Sequence, residues 1–145
     1  MIQTREIKRQ ELDALCELYN ELMDGYTNFD NMKRVYSSIE ENPQYILLGA
    51  FQDKELLGSL MGIVCYDLVG DCKPFLVIEN VVVSSRTRRQ GVGKKLMQRI
   101  EELAKERGCW YMILVSGEKR KEAHRFYEAL GFKEEQVEGY RKYVK

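Results

Sequence analysis

"FLVIENVVVSSRTRRQGVGKKLMQRIEELAKERGCWYMILV", residues Phe75 to Val115, is the stretch on which the fold turns. It opens with an apolar run broken only by Glu79-Asn80, and that run reads as a strand. After the basic loop, Val92, Leu96, Ile100, Leu103 and Ala104 recur at helical spacing, and Gly108 stands where a helix often closes. "CWYMILV" then reads as a strand buried on both faces. A strand, a crossover helix and the next strand of one sheet run parallel, so this stretch predicts a βαβ unit.

Working outward, "ELDALCELYNELMDGY" places Leu12, Leu15, Leu18, Tyr19, Leu22 and Met23 on one helical stripe, with Gly25 as its stop. A second helix is expected in "NMKRVYSSIEEN", with Met32, Val35, Tyr36 and Ile39 on one face and Asn42-Pro43 at its end. "QYILLGAF" and "ELLGSLMGIVCYDL" are rich in strand formers, and the polar "QDKE" between them suits a hairpin. Gly49, Gly58 and Gly62 within them point to bulges or close backbone packing. Beyond Val115, "KEAHRFYEALG" reads as a helix closed by Gly131, and "FKEEQVEGYRKYVK" as one or two final strands. The expected class is α/β (α+β) with a mixed sheet.

Composition sets the limits. With 145 residues, 44% hydrophobic, 32% charged and two prolines, the chain suits a single globular domain spanning residues 1–145. Lys+Arg and Asp+Glu balance at 23 each, which argues against nucleic acid or an acidic membrane as partner and makes the basic cluster a local device. "MIQTREIKRQELDAL" lacks the apolar stretch of a secretory signal, and no segment approaches the roughly 20 apolar residues of a membrane span, so a cytoplasmic place is expected. Cys16, Cys65, Cys72 and Cys109 are scattered, and the only histidine, His124, is far from them in sequence. Reduced thiols and no zinc site follow as expectations.

The basic loop has a chemistry of its own. A helix whose first turn carries Gly91-Val92-Gly93 presents backbone N–H groups without intrahelical partners, backed by the positive end of the macrodipole. Arg86, Arg88, Arg89, Lys94 and Lys95 add charge around it, which suits a pyrophosphate. Two other phosphate loops are excluded by inspection. There is no Gly-x-x-x-x-Gly-Lys-Ser/Thr, and Leu96 stands where the third glycine of Gly-x-Gly-x-x-Gly should be.

Arg88-Arg89-Gln90-Gly91-Val92-Gly93 resembles the Arg/Gln-x-x-Gly-x-Gly/Ala signature of the Gcn5-related N-acetyltransferases, the GNAT family. Ala123-His124-Arg125-Phe126-Tyr127, followed by Leu130-Gly131-Phe132, is similar to that family's Ala-x-x-Phe-Tyr-x-x-x-Gly-Phe segment. The resemblance implies a mostly antiparallel sheet with a central parallel pair splayed by a bulge and flanked by helices. It implies acetyl-coenzyme A as co-substrate, its pyrophosphate on Arg88, Arg89, Gln90, Gly91, Val92, Gly93 and Lys94, and its pantetheine arm against the backbone of Val81, Val82 and Val83. Many members carry an asparagine three residues before the motif alanine, where this chain has Arg120. It also implies Tyr127 as the proton donor to the coenzyme A sulfur. Dimers are common among members, so a homodimer is an expectation too.

Acetyl transfer to an amine needs a base, an oxyanion partner and a proton for the thiolate. A carboxylate breaking an apolar strand is costly unless it faces a site or finds a partner, which makes Glu79 the first candidate base, with a backbone N–H near Val81 meeting the oxyanion. His124, three residues before Tyr127, is a second candidate. The chain looks closest to small-molecule members such as aminoalkylphosphonate, aminoglycoside or glucosamine-6-phosphate N-acetyltransferases. The acceptor, a small primary amine, is then expected around Tyr26, Phe29, Tyr36 and Tyr66, with Asp24, Asp30 and Asp67 as attractors. The alternatives are an acetyl-coenzyme A sensor and a transferase acting on protein lysines or N-termini.

Overall fold

A computed structural model describes residues 1–23, 25–116 and 121–145. Among these residues five strands form one sheet in sequential order: β1 (Ile2–Glu6), β2 (Tyr45–Gln52), β3 (Glu55–Cys65), β4 (Phe75–Val83) and β5 (Met112–Leu114). The first four are antiparallel neighbours, and β5 lies parallel to β4. Four helices accompany them: α1 (Leu12–Tyr19), α2 (Phe29–Glu40), α3 (Val92–Glu106) and α4 (Lys121–Ala129). The chain divides into two compact units, Met1–Ile113 and Leu114–Lys145.

In the first unit the sheet buries both faces. One face carries the cluster of Ile7, Leu12, Leu15, Leu18, Tyr36, Leu47, Phe51, Leu56 and Val82, which joins α1 and α2 to β2, β3 and β4. On the other lies α3, whose Val92, Leu96, Met97, Ile100 and Ala104 are buried at the expected helical spacing. Truncating such a residue to alanine typically costs about 2–5 kcal/mol. The glycines of the central strands make this approach possible. A Cβ on Gly58 would lie 2.8 Å from Val92 Cγ1, and one on Gly62 would lie 2.8 Å from Ile100 Cδ1. These positions are close helix-to-strand contacts, one of the two meanings the sequence allowed.

The β2–β3 hairpin turns at Asp53-Lys54, flanked by paired Gln52 and Glu55, with Asp53 at φ 56°. At its far end α3 closes on Gly108, at φ 74°, whose N–H donates to Lys105 O while the Cys109 N–H reaches back to Ala104 O. That pair of bonds is a Schellman cap, and it needs the left-handed residue that glycine supplies most readily.

Three expectations are corrected and one strand is added. α1 stops at Tyr19, well before Gly25. Strand β1 goes unforeseen because Ile2–Glu6 mixes polar and charged residues; it is held as an edge strand by pairing with β2. The segment "FKEEQVEGYRKYVK" forms no strand. Its Val137, Tyr140 and Tyr143 fall three apart where a half-buried strand wants alternation, and all three are exposed. β5 is also shorter and less buried than expected: its three residues are half-buried, and flanking Trp110 and Val115 are 62% and 66% exposed.

Candidate active site

β4 carries the first element of the site. Its register with β3 pairs Ile78 with Gly62 and Glu79 with Met61, then slips by one so that Val82 meets Ser59 and Val83 meets Gly58. The extra residue makes a β-bulge at Asn80, which adopts φ 55°. Asparagine tolerates this left-handed geometry far better than a branched residue would. The slip reverses the alternation. Before the bulge, even-numbered Leu76 and Ile78 sit opposite β3 residues on the α3 side; after it, Val82 joins the cluster beneath α1 and α2.

Glu79 shares a cross-strand position with Met61, which packs against that same cluster, so the carboxylate lies on the α1–α2 face of the sheet. It is exposed and has no ion-pair partner among the described residues. Val81 and Val83 are half-buried and Val82 is buried. β5 is shorter than β4 and pairs from its start: the Leu76 N–H donates to Tyr111 O and the Trp110 N–H to Pro74 O, each at 3.1 Å.

β4 runs directly into the second element. Ser84 caps a short 3₁₀ turn, Ser85–Thr87, and the chain reaches α3 through Arg89 at φ 67° and Gly91 at φ 81°. The first bond of the α3 ladder runs from the Lys95 N–H to Gly91 O at 3.0 Å. The N–H groups of Val92, Gly93 and Lys94 therefore precede the ladder and have no acceptor within the helix. Nothing lies within 4 Å of where a Cβ on Gly91 would stand. An open space bordered by free amides fits a pyrophosphate, and so fits the phosphate end of coenzyme A.

The five cations of the loop divide into two groups. Arg86 is committed to Glu55 at 2.7 Å, and Lys95 Nζ donates to Ile2 O at 3.4 Å. Arg88, Arg89 and Lys94 stay exposed, with no ion pair among the described residues. Gln90 is exposed as well.

The second unit carries Tyr127 and His124 on α4, half-buried and three residues apart on one helical side. The helix ends in another Schellman cap. Gly131, at φ 100°, donates to Glu128 O, and the Phe132 N–H donates to Tyr127 O at 3.0 Å. In this motif the residue after the glycine packs on the residue whose carbonyl it caps. The Tyr127 and Phe132 rings do meet edge to face, with centroids 6.1 Å apart, and Phe126 flanks Tyr127 at 5.3 Å. The spacing Tyr-x-x-x-Gly-Phe is thus a helix stop that also fixes the tyrosine. Arg120 and Asp24 lie outside the described residues.

The expected acceptor pocket is partly redrawn. Tyr36 is a core residue whose hydroxyl donates to Ile7 O at 2.9 Å, and burial pushes its phenol up. Asp67 accepts from the Leu68 and Val69 amides, and Asp30 pairs with Lys33 at 3.4 Å, so both carboxylates serve their own segments. Tyr26 and Tyr66 are exposed, and Phe29 lies under Lys33.

Sequence reasoning missed Tyr19 and Glu21. The Tyr19 phenol, pushed up to about 12 by burial, lies beside the Asn80 side chain at the bulge. Glu21, in the turn that closes α1, accepts the Ser85 N–H at 2.9 Å. The Glu-Asn interruption of an apolar strand was the one available signal of the bulge.

A sheet whose fourth strand is bulged and leads into a glycine-started helix is the arrangement that the resemblance to the N-acetyltransferases implies. The chain belongs to the acetyltransferase (GNAT) family, whose model matches residues 13–132. It is 35% identical over 80 residues to an aminoglycoside N(6')-acetyltransferase type 1 from Serratia marcescens, a match covering 53% of this chain and 55% of that protein. It is 43% identical over 56 residues to a glucosamine 6-phosphate N-acetyltransferase from Trypanosoma brucei brucei, covering 39% of this chain and 36% of the relative. The matches thus span about half or less of these curated relatives. Among solved structures, a transcriptional regulator from Bacillus halodurans superposes with a TM-score of 0.91 at 28% identity, over 99% of this chain and all of the other. No helix among the described residues is long and apolar enough to cross a membrane.

Proposed function

We propose that this chain is a single-domain N-acetyltransferase that moves an acetyl group from acetyl-coenzyme A directly to a primary amine of a small molecule, with both substrates bound together. The observation that carries the reading is the bulged β4 leading into the Gly91 start of α3, where three amides precede the helix ladder.

Each group has a role. The amides of Val92, Gly93 and Lys94, with the Arg88, Arg89 and Lys94 side chains and Gln90, hold the pyrophosphate. The backbone of Val81, Val82 and Val83 pairs with the pantetheine amides, as a peptide adds to a sheet edge. Acetyl-coenzyme A supplies an activated thioester carbonyl. Glu79, directly or through water, takes a proton from the incoming amine, and the Val81 N–H stabilises the developing oxyanion. Tyr127 gives its proton to the departing sulfur, and His124 is the alternative base. Arg120 takes the place of the usual asparagine contact. The named relatives favour an amino sugar or aminoglycoside acceptor, and a homodimer rests on the family resemblance.

Calorimetric titration with coenzyme A tests the carrying observation. The unmodified protein binds, and Arg88→Ala/Arg89→Ala, both at exposed positions, weakens binding about tenfold or more. Equal binding by the double variant, or none by the unmodified protein, contradicts the reading. The Bacillus halodurans neighbour's description as a transcriptional regulator favours a second reading, a coenzyme-binding sensor that does not turn over.

A further inference from the structure

The segment Asn80–Ser85 joins the bulge to the basic loop, and a single turn of chain ties both its ends. At one end, Tyr19, packed against the core where α1 meets β4, turns its hydroxyl to the side chain of Asn80, the residue that adopts φ 55°. At the other, the Glu21 carboxylate accepts the Ser85 N–H at 2.9 Å, in the field of Arg88 and Arg86. Tyr19 is the last residue of α1, and Glu21 lies in the turn that closes it.

We propose that Tyr19 and Glu21 are positioning residues for the cofactor strand: Tyr19 holds the bulge that aims the Val81 amide, and Glu21 holds the start of the loop that presents the α3 amides. The inference rests on the proposed coenzyme A site but adds two residues that touch neither the cofactor nor the reacting atoms. An acidic side chain beside a phosphate loop is at first sight a disadvantage, because it repels the ligand and competes for Arg88. Its bond to the Ser85 N–H is what that repulsion is exchanged for.

Two substitutions at Glu21 separate these effects. Glu21→Gln keeps an oxygen that accepts from Ser85 and removes the charge, whereas Glu21→Ala removes both. Positioning predicts that Glu21→Gln binds coenzyme A as well as the unmodified protein or better, and that Glu21→Ala binds about five- to tenfold more weakly than Glu21→Gln. A purely electrostatic role predicts that the two variants bind alike, and that result overturns the proposal for Glu21.

Tyr19→Phe keeps the ring and removes the hydroxyl. It is expected to weaken coenzyme A about threefold to tenfold while leaving unchanged the binding of the phosphoadenosine diphosphate half of the cofactor, which lacks the pantetheine arm. Glu21→Ala is expected to weaken both ligands alike. Loss of both ligands in Tyr19→Phe would mean general loosening, and loss of neither would mean no role; either overturns the proposal for Tyr19. If the unmodified protein binds no coenzyme A, it is the functional reading that fails, an outcome told apart from these because it precedes any variant.

Discussion

Replacing Gly58 by alanine tests how closely α3 must lie on the sheet. The added Cβ would stand 2.8 Å from Val92 Cγ1, 3.0 Å from Val82 O and 3.2 Å from Leu96 Cδ1. Carbon atoms rest at about 3.5–4.0 Å, so the Val92 methyl must retreat by roughly 0.7 Å or more. Val82 O is backbone of the bulged strand and cannot swing aside. Overpacking of this kind costs about 1–3 kcal/mol, and removing a flexible glycine from the unfolded chain returns about 0.4–1 kcal/mol. The net loss is about 1–2 kcal/mol, a fall of about 3–6 °C in Tm for a chain of this size.

Gly62→Ala is the control. Its nearest neighbour, Ile100 Cδ1 at 2.8 Å, is the end of a flexible side chain, so its loss should be well under that of Gly58→Ala. Combining Gly58→Ala with Val92→Ala relieves one of the close contacts. The double variant should therefore be more stable than the sum of the singles predicts, by about 0.5–1.5 kcal/mol. Because Val92 opens α3, Gly58→Ala should also weaken coenzyme A. Thermal and urea unfolding of the unmodified protein, the three single variants and the double variant decide the matter. Equal stability of Gly58→Ala and Gly62→Ala, together with strict additivity in the double variant, would refute the packing argument.

The Glu11 carboxyl is held below its ordinary 4.5, first by its hydrogen bonds from Arg5, one of them at 2.9 Å. A depressed carboxylate stabilises the fold above its unfolded pKa and loses that contribution as pH falls through the folded one. Glu11→Gln should thus cost about 1 kcal/mol at pH 7 and progressively less as the pH falls below the ordinary carboxylate range, read from urea midpoints across that range. Tyr36→Phe strands the buried Ile7 carbonyl and should cost about 1–2 kcal/mol by urea unfolding, with coenzyme A affinity unchanged. Gly131→Ala forces φ 100° on a residue with a Cβ at the cap that holds Tyr127. It should lower kcat more than it lowers affinity for coenzyme A, and a normal kcat would separate the cap from catalysis.

The βαβ stretch was legible because each of its parts carries a strong local signal. Val92 to Ala104 repeats at helical spacing, Gly108 and Gly131 mark left-handed caps, and Gly58 and Gly62 mark the close approach of α3. β1 was hidden because an edge strand is held by pairing with β2 and needs few apolar residues of its own. The final segment misled in the opposite sense: tyrosines and valines favour strands in isolation, yet Val137, Tyr140 and Tyr143 cannot line one face. Within the site, the glycines and cations were readable, but the approach of Tyr19 to Asn80 and the bond from Ser85 to Glu21 join residues about 60 apart in sequence, and no local pattern announces them.

Release of free coenzyme A from acetyl-coenzyme A, followed across a panel of amino sugars, aminoglycosides, aminophosphonates, simple amines and a lysine peptide, tests the central claim most directly, with Tyr127→Phe and Glu79→Gln assayed alongside. Transfer predicts turnover on one small-amine class, a fall of about a hundredfold or more in each variant, and unchanged coenzyme A affinity in Glu79→Gln. Tight cofactor binding without turnover on any acceptor, or turnover that survives both substitutions, would contradict it.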